Sequence, residues 1–207
     1  MKVMPNQIVA HRTPAEAWRW AQTIIGTYGS QRITEDSQNT REIGNLQLQI
    51  LNPAEGWPVE GSGWTIPALN EYLHREILNQ YPPGGFRYTY GERLFAYPLS
   101  CGPINQIDGY VIPKLKQEPS TRRAKATIWH PLLDRFEDST PCMQDVTFLF
   151  ENEKLNLTAN FRSWDVGRAA IENIYGLTGL LGYVASEAGM EPGSLTIIAV
   201  SAHVYEL

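Results

Sequence analysis

The sequence contains few of the residues that build metal centres and disulfide scaffolds. Two cysteines and four histidines are scattered over 207 residues, and no group of them has the spacing of zinc ligands. Nothing marks the chain as secreted, so Cys101 and Cys142 are expected to be reduced. We therefore expect no metal site and a cytoplasmic location.

An excess of positive charge and long apolar runs are also lacking. The net charge of −5 argues against nucleic acid or an anionic membrane as the main partner. No apolar run is long enough to span a bilayer, and residues 1–7 lack the apolar core of a signal peptide. P-loop and dinucleotide-binding glycine patterns are absent. An anionic ligand would therefore need a local cluster of arginines.

What is present is an ordinary globular composition, 43% hydrophobic and 19% charged, in which helices and strands interleave without a linker or repeat. This predicts a single domain, 1–207, of the α/β or α+β class. The predicted helices cover 14–26, 67–80, 105–117 and 169–188, and the predicted strands 46–50, 124–129, 146–150, 155 onward and 195–204. Residues 88–93 are expected to be extended or loop, and 191–193 to form a turn.

A predicted β-hairpin organises the second half of the chain. Two apolar runs flank the polar turn 151–154, which is typical of paired antiparallel strands. Pairing would place Cys142, before the first strand, beside Arg162 at the end of the second. A neighbouring guanidinium stabilises a thiolate, so we expect a lowered pKa and a nucleophilic Cys142.

Adjacent arginines, Arg122 and Arg123, precede the strand predicted at 124–129. Such a dibasic pair is usually a solvated turn. Guanidinium groups also match phosphate oxygens in geometry, so a phosphate clamp is the functional interpretation.

Four further polar residues have ordinary structural explanations. Asn173 lies near a helix start, where capping explains it, and Glu71 fits a solvent-facing helix position. His203 and Tyr205 alternate on an apolar strand and therefore share one face, where a satisfied core pair is the simple explanation.

In combination and in this order, these residues resemble the thymidylate synthase family, and most closely its archaeal branch. The resemblance is carried by Tyr90-Gly91, the segment ending in Arg122-Arg123, Pro141-Cys142, Arg162-Ser163-Trp164-Asp165-Val166, Asn173, and Ala202-His203-Val204-Tyr205. It covers the C-terminal half well and the first hundred residues loosely.

The resemblance implies a fold, an assembly and a reaction. The fold is one large twisted mixed sheet with flanking helices, and two sheets pack back to back in a homodimer. The reaction is the reductive methylation of dUMP to dTMP by a methyltransferase that needs no metal. The co-substrate is 5,10-methylene-tetrahydrofolate or an archaeal tetrahydropterin analogue.

The resemblance also implies roles for the hairpin and arginine residues. The Cys142 thiolate would add to C6 of the pyrimidine. Arg162 and Ser163 would bind the 5′-phosphate, and Arg162 would also activate the thiol. Arg122 and Arg123 would reach the phosphate in the neighbouring subunit's site.

Base, sugar and pterin contacts are implied for the remaining motif residues. Asn173 would read N3 and O4 of the base, whereas His203 and Tyr205 would hold the sugar hydroxyl. Asp165 would orient the pterin, and Ala169 would line the pterin site where the family often has glycine.

Two implied roles rest on looser matches. Glu71 with Tyr90 would organise the water that moves protons. The phosphate-loop arginine is either Arg32 or Arg41, with Arg41 included among the predicted substrate ligands. Met143 stands where the family usually has a histidine, so one polar contact is lost.

Two alternatives stay open. One is a pyrimidine-nucleotide hydroxymethylase of the same superfamily, although Asn173 favours uracil over cytosine. The other is a nucleotide-binding relative without turnover, which would fit a sequence that ends at Leu207 where the family continues into a tail over the pterin.

Overall fold

The computed structural model describes residues 8–81 and 88–206. Within these residues a mixed sheet has seven strands in the order β1-β3-β7-β6-β5-β4, with β2 added beside β3. The strands are β1 Ile8–His11, β2 Ser30–Ile33, β3 Asn39–Ile50, β4 Lys125–Thr127, β5 Met143–Glu151, β6 Lys154–Asp165 and β7 Glu191–Tyr205. The predicted class, one large mixed sheet with flanking helices, is confirmed.

Helices cover the sheet and support the loops at its ends. The α-helices are α1 Pro14–Tyr28, α2 Ile66–Tyr72, α3 Tyr90–Phe95, α4 Ile112–Gln117 and α5 Ala170–Ala188. A π-helical turn, Leu73–Ile77, continues α2, and another, Ile107–Val111, leads into α4. A short 3₁₀ turn covers Asp134–Phe136.

The start of α1 is fixed by a capping box that the sequence predicts. The Thr13 hydroxyl accepts from the backbone N–H of Glu16 at 3.4 Å, and the Glu16 carboxylate accepts from the Thr13 N–H at 3.3 Å. Both bonds satisfy donors that a helix start leaves unpaired. The helix continues past the predicted end at Gly26 to Tyr28, and the backbone N–H of Gly29 donates to the Ile25 carbonyl at 2.8 Å to close its last turn.

The prediction of extended or loop structure at 88–93 is wrong from Tyr90 onward, because α3 begins there. The Thr89 hydroxyl accepts from the backbone N–H of Glu92 at 3.0 Å. Thr89 and Glu92 have capping-box spacing, a signal that was overlooked. Gly91 lies against a neighbouring backbone, where a Cβ would overlap the Asn79 carbonyl.

The predicted turn at 191–193 is also wrong, since these residues already belong to β7. Glu191 pairs with Lys154 and Pro192 with Leu155, and the register shifts before Leu157. Proline is tolerated near the start of a strand, so Pro192 does not mark a turn here.

The core lies between the sheet and two long helices. Helices α1 and α5 contact each other and pack against β3, β7 and β6. Alternate residues of β6, including Leu157 and Phe161, are fully buried beneath them. Residues between them face the opposite side of the sheet. That side is more open: Val200 of β7 is 61% exposed and Leu149 of β5 is 39% exposed. Back-to-back packing of two such faces stays a prediction.

The close approach at Gly91 generates a stability prediction. Gly91→Ala puts a methyl group into the Asn79 backbone and 2.9 Å from the Ile77 carbonyl oxygen, so α3 has to move. We expect a loss of about 1–3 kcal/mol in the free energy of unfolding, measured with urea. Gly182→Ala in α5 is the control, because the added methyl meets no described atom within 4 Å. It should gain up to about 1 kcal/mol. Equal effects would contradict the close approach.

Candidate active site

A cleft of about 1110 Å³ opens at the carboxyl ends of β6 and β7 and the start of β5. Parallel pairing of β6 with β7 sets Asp165 directly beside His203. Most of the predicted site residues line this cleft, namely Tyr90, Cys142, Arg162, Ser163, Asp165, Ala169, Asn173, His203 and Tyr205. The fold therefore brings most of the predicted residues together in one cleft, although other residues make up the larger part of its wall.

The predicted hairpin is present and brings Cys142 to Arg162. Its two-residue turn places Asn152 at φ 53° and Glu153 at φ 63°, as tight hairpins require. The Arg162 backbone N–H donates to the Cys142 carbonyl at 2.8 Å. A register irregularity follows at once, between Met143 and Asp145. Bulges often lie beside functional sites, because they redirect the neighbouring side chain.

The Arg162 guanidinium holds the loop that presents Cys142. Nη2 donates to the Thr140 carbonyl at 2.8 Å, and Nε donates to the Pro141 carbonyl at 3.1 Å. Nη2 also lies 3.9 Å from the Cys142 Sγ. One cation thus fixes the backbone and contacts the thiol.

The direction predicted for the Cys142 pKa is wrong. Burial of the thiol raises its pKa; Arg162 offsets part of this rise and Asp165 adds to it. Met143 is fully buried in the core, so it supplies no polar contact to the thiol. Burial therefore favours the neutral thiol form of Cys142.

Phenol hydroxyls line the wall near Cys142. Burial raises the pKa of Tyr88 to about 12 and raises that of Tyr90 well above its ordinary value. The two rings lie 6.3 Å apart, and the guanidinium of Arg93 lies 5.6 Å from the Tyr88 ring. Both tyrosines are therefore neutral hydroxyl groups. Sequence reasoning found Tyr90 but missed Tyr88.

Asn173 lies in the first turn of α5, as predicted, and is 7% exposed. Its Nδ2 donates to the hydroxyl of Tyr72 at 2.9 Å. Tyr72 ends α2 and also lines the cleft. No local sequence pattern indicates this partner, because Tyr72 and Asn173 belong to helices that are far apart in the sequence.

His203 and Tyr205 share a face of β7 as predicted, with ring centroids 5.2 Å apart in an edge-to-face arrangement. Burial lowers the pKa of His203, which favours the neutral imidazole. The Arg168 guanidinium lies 4.3 Å from the Tyr205 ring, a cation–π contact that sequence reasoning missed.

Asp165 uses one oxygen to close the turn after β6. Its Oδ1 accepts from the backbone N–H groups of Gly167 at 3.0 Å and Arg168 at 2.9 Å. Ser163 and Ala169 lie in the same wall. These bonds hold the carboxylate at the cleft.

Arg32, not Arg41, lies in the described wall at the β2 end of the cleft. Arg32 Nη1 lies 3.5 Å from the Glu42 carboxylate. Arg41 Nε is 2.7 Å from Glu206 and is therefore directed to another partner. Of the two phosphate-loop candidates, the geometry favours Arg32.

Glu71 does not reach the described wall. Its side chain is 69% exposed and pairs with Arg75 at 3.2 Å. Glu76, which is 14% exposed and 2.9 Å from Arg75, lines the cleft instead. Glu172 also lines it, and burial, with the charge of Glu76 second, raises the Glu172 pKa to about 7. Both glutamates were missed.

Arg122 and Arg123 are exposed and lie outside the wall described for this subunit. The Arg123 carbonyl accepts from the Tyr110 hydroxyl at 2.9 Å, which anchors the backbone of the pair. A role in a neighbouring site stays a prediction.

Two features are missing from the part of the chain that the structure describes. Residues 8–81 and 88–206 contain no group of three or more His, Cys, Asp or Glu side chains placed to hold a metal ion. They also contain no helix with the length and apolarity needed to cross a membrane.

Comparisons with known proteins agree with one another. The family model described as thymidylate synthase matches residues 34–207. Curated relatives carry the name "Putative thymidylate synthase": the protein of Methanococcoides burtonii is 36% identical over 97% of this chain and 90% of its own length. That of Methanosarcina barkeri is 37% identical over the same shares, and that of Methanocaldococcus jannaschii is 39% identical over 83% of this chain and 78% of its own length.

Burial and the Arg162 guanidinium have opposite effects on the Cys142 pKa, and these effects predict how fast the thiol is alkylated. In a Cys101→Ser background, the alkylation rate should rise with pH and reach its midpoint above that of an exposed thiol, because burial raises the pKa. Adding Arg162→Gln removes the offsetting cation, so alkylation near neutral pH should slow roughly tenfold. Iodoacetamide labelling followed by mass spectrometry measures both. An unchanged or faster rate would show that Arg162 does not stabilise the thiolate.

Proposed function

Because the chain belongs to the thymidylate synthase family, we propose that it converts dUMP to dTMP by reductive methylation, using a methylene-tetrahydropterin as co-substrate. The observation that carries the proposal is one cleft lined by the Cys142 thiol, the Arg162 guanidinium beside it and the amide of Asn173. A nucleophile, an anion-binding cation and a base-reading amide together suit covalent catalysis on a nucleotide.

The nucleotide fits the polar wall in a definite order. Arg162, Ser163 and Arg32 supply donors for the 5′-phosphate. The neutral His203 imidazole and the Tyr205 hydroxyl, on one face of β7, hold the sugar hydroxyl. The base then lies toward Asn173 and Cys142.

The chemistry begins when the Cys142 proton leaves and Sγ forms a bond to C6. The electron pair of the C5–C6 double bond moves into the ring and makes C5 nucleophilic toward the one-carbon unit. The reduced pterin, 5,10-methylene-tetrahydrofolate or an archaeal analogue, supplies both that unit and a hydride. Loss of the C5 proton breaks the bond between the transferred carbon and the pterin nitrogen, and the hydride adds to that carbon as the Cys142 thiolate leaves C6. The products are dTMP and an oxidised dihydropterin, and the Cys142 thiolate returns.

Other residues of the cleft suit the pterin and the proton transfers. Asp165 offers a carboxylate held by two backbone N–H groups, and Ala169 lies beside it. Tyr90 is a neutral hydroxyl, and Glu172, with a pKa of about 7, exchanges protons near neutral pH. Both free cysteines agree with a reducing cytoplasm as the place of action.

The working unit we propose is a homodimer. The side of the sheet away from α1 and α5 carries exposed Val200 and Leu149, which suits packing against a second sheet. In such a dimer, the exposed Arg122 and Arg123 would add cations to the partner's phosphate site.

Release of tritium from dUMP labelled at C5 tests the reaction. Wild type with methylene-tetrahydrofolate or an archaeal analogue should release tritium, and Cys142→Ala should lower release by several orders of magnitude because no C6 adduct forms. Mass spectrometry of the product separates methyl transfer from hydroxymethylation. Binding of dUMP without any release would instead support a nucleotide-binding relative, and release that persists in Cys142→Ala would overturn the mechanism.

Subunit mixing tests whether the arginines act across the dimer. Cys142→Ala and the double variant Arg122→Ala/Arg123→Ala are each expected to be nearly inactive alone. A heterodimer of the two has one intact site if the arginines serve the partner, so equal mixing should restore about a quarter of wild-type activity. Each variant refolded with itself is the control. No recovery, with heterodimers detected by native mass spectrometry, would contradict the shared site.

A further inference from the structure

A hydroxyl from α2 holds the amide of Asn173. The Asn173 Nδ2 donates to the Tyr72 hydroxyl at 2.9 Å, and both residues line the cleft. We propose that Tyr72 is a positioning residue that fixes the Asn173 amide orientation and thereby sets the preference for uracil over cytosine. The preference rests on the proposed function, whereas the positioning does not.

The local backbone places Tyr72 tightly against α5. The α-helix ends at Tyr72, and the π-helical turn starts at the next residue, with the Leu78 N–H donating to the Leu73 carbonyl at 3.0 Å. At Gly176 of α5, a Cβ would lie 2.9 Å from Tyr72 Cε1 and 2.6 Å from Ile77 Cγ1. The missing side chain at Gly176 is therefore what lets the tyrosine ring approach Asn173. Single π turns are frequent at functional sites.

The chemistry of the pair favours one amide orientation. Uracil presents an N3–H donor beside an O4 acceptor, so a matching amide offers Oδ1 to the first and an Nδ2 hydrogen to the second. The remaining Nδ2 hydrogen goes to Tyr72. Burial, followed by the charge of Glu172, raises the Tyr72 pKa far above its ordinary value, so the group stays a phenol. Its oxygen can therefore accept the Asn173 hydrogen bond while the phenol keeps its own hydrogen.

The structure supplies a matched control between the same two helices. The Tyr175 hydroxyl of α5 donates to Oδ1 of Asn70 in α2 at 2.6 Å. Tyr175 lies outside the described wall. Tyr72→Phe and Tyr175→Phe thus each remove one hydroxyl that bridges α2 and α5, but only the first touches Asn173.

Nuclear magnetic resonance of the side-chain amides tests the positioning without any ligand. In ¹⁵N-labelled protein, the Asn173 signal is identified by its loss in Asn173→Asp. Tyr72→Phe should shift this signal and accelerate its hydrogen exchange about tenfold, because the amide loses its buried acceptor. Tyr175→Phe should leave it in place. An Asn173 signal that ignores Tyr72→Phe would overturn the proposal.

Calorimetry with dUMP and dCMP tests the specificity. Tyr72→Phe should weaken dUMP binding about tenfold and leave dCMP binding unchanged or stronger, so the ratio of affinities falls. Tyr175→Phe should keep the wild-type ratio, even if its melting temperature drops as much. An equal fall in both variants would assign the effect to helix packing and overturn the specificity role. If wild type binds neither nucleotide, the proposed function fails, and the amide signal still decides whether Tyr72 positions Asn173.

Discussion

The site depends on the parallel pairing of β6 with β7. Because two parallel neighbours end at the same edge of a sheet, the pairing places Asp165 beside His203, although helix α5 separates their strands in sequence. The antiparallel pairing of β5 with β6 places the start of β5 at the same edge, so Cys142 lies beside Arg162. Helix α5 begins just after β6, so Asn173 enters the same cleft. One edge of the sheet thus brings together side chains that are separated in the sequence.

The hairpin and the strand edge were predictable because they depend on local pattern. Alternating strands, a polar turn and a capping box at Thr13 each carry a signal over a few residues. The start of α3 carries a local signal as well, the capping-box spacing of Thr89 and Glu92, although residues 88–93 were expected to be extended or loop. The pattern that predicts this helix start is therefore present in the sequence.

Other features were not predictable, because they depend on geometry that sequence spacing does not describe. Glu76, in the π-helical turn after Tyr72, lines the cleft, whereas Glu71 does not. Arg41 pairs with Glu206, whereas Arg32 lies in the wall of the cleft. The Arg41–Glu206 pair joins two chain segments that are far apart in the sequence. The predicted direction of the Cys142 pKa shift was wrong for a related reason. Sequence showed its neighbouring cation, whereas its burial follows only from the assembled fold.

Burial also gives the cleft a common chemical character. It keeps the Cys142 thiol, the Tyr90 phenol and the His203 imidazole in their neutral forms, while the Glu172 carboxyl exchanges its proton near neutral pH. Several acidic side chains, among them Asp165, Glu76 and Glu172, also line the cleft, so an anion would have to bind locally beside the Arg162 and Arg32 guanidinium groups. A bound nucleotide would displace water and bring its own phosphate charge to Arg162, so the thiol must lose its proton within the complex. In the proposed reaction, the cleft carboxylates would be the groups that accept this proton.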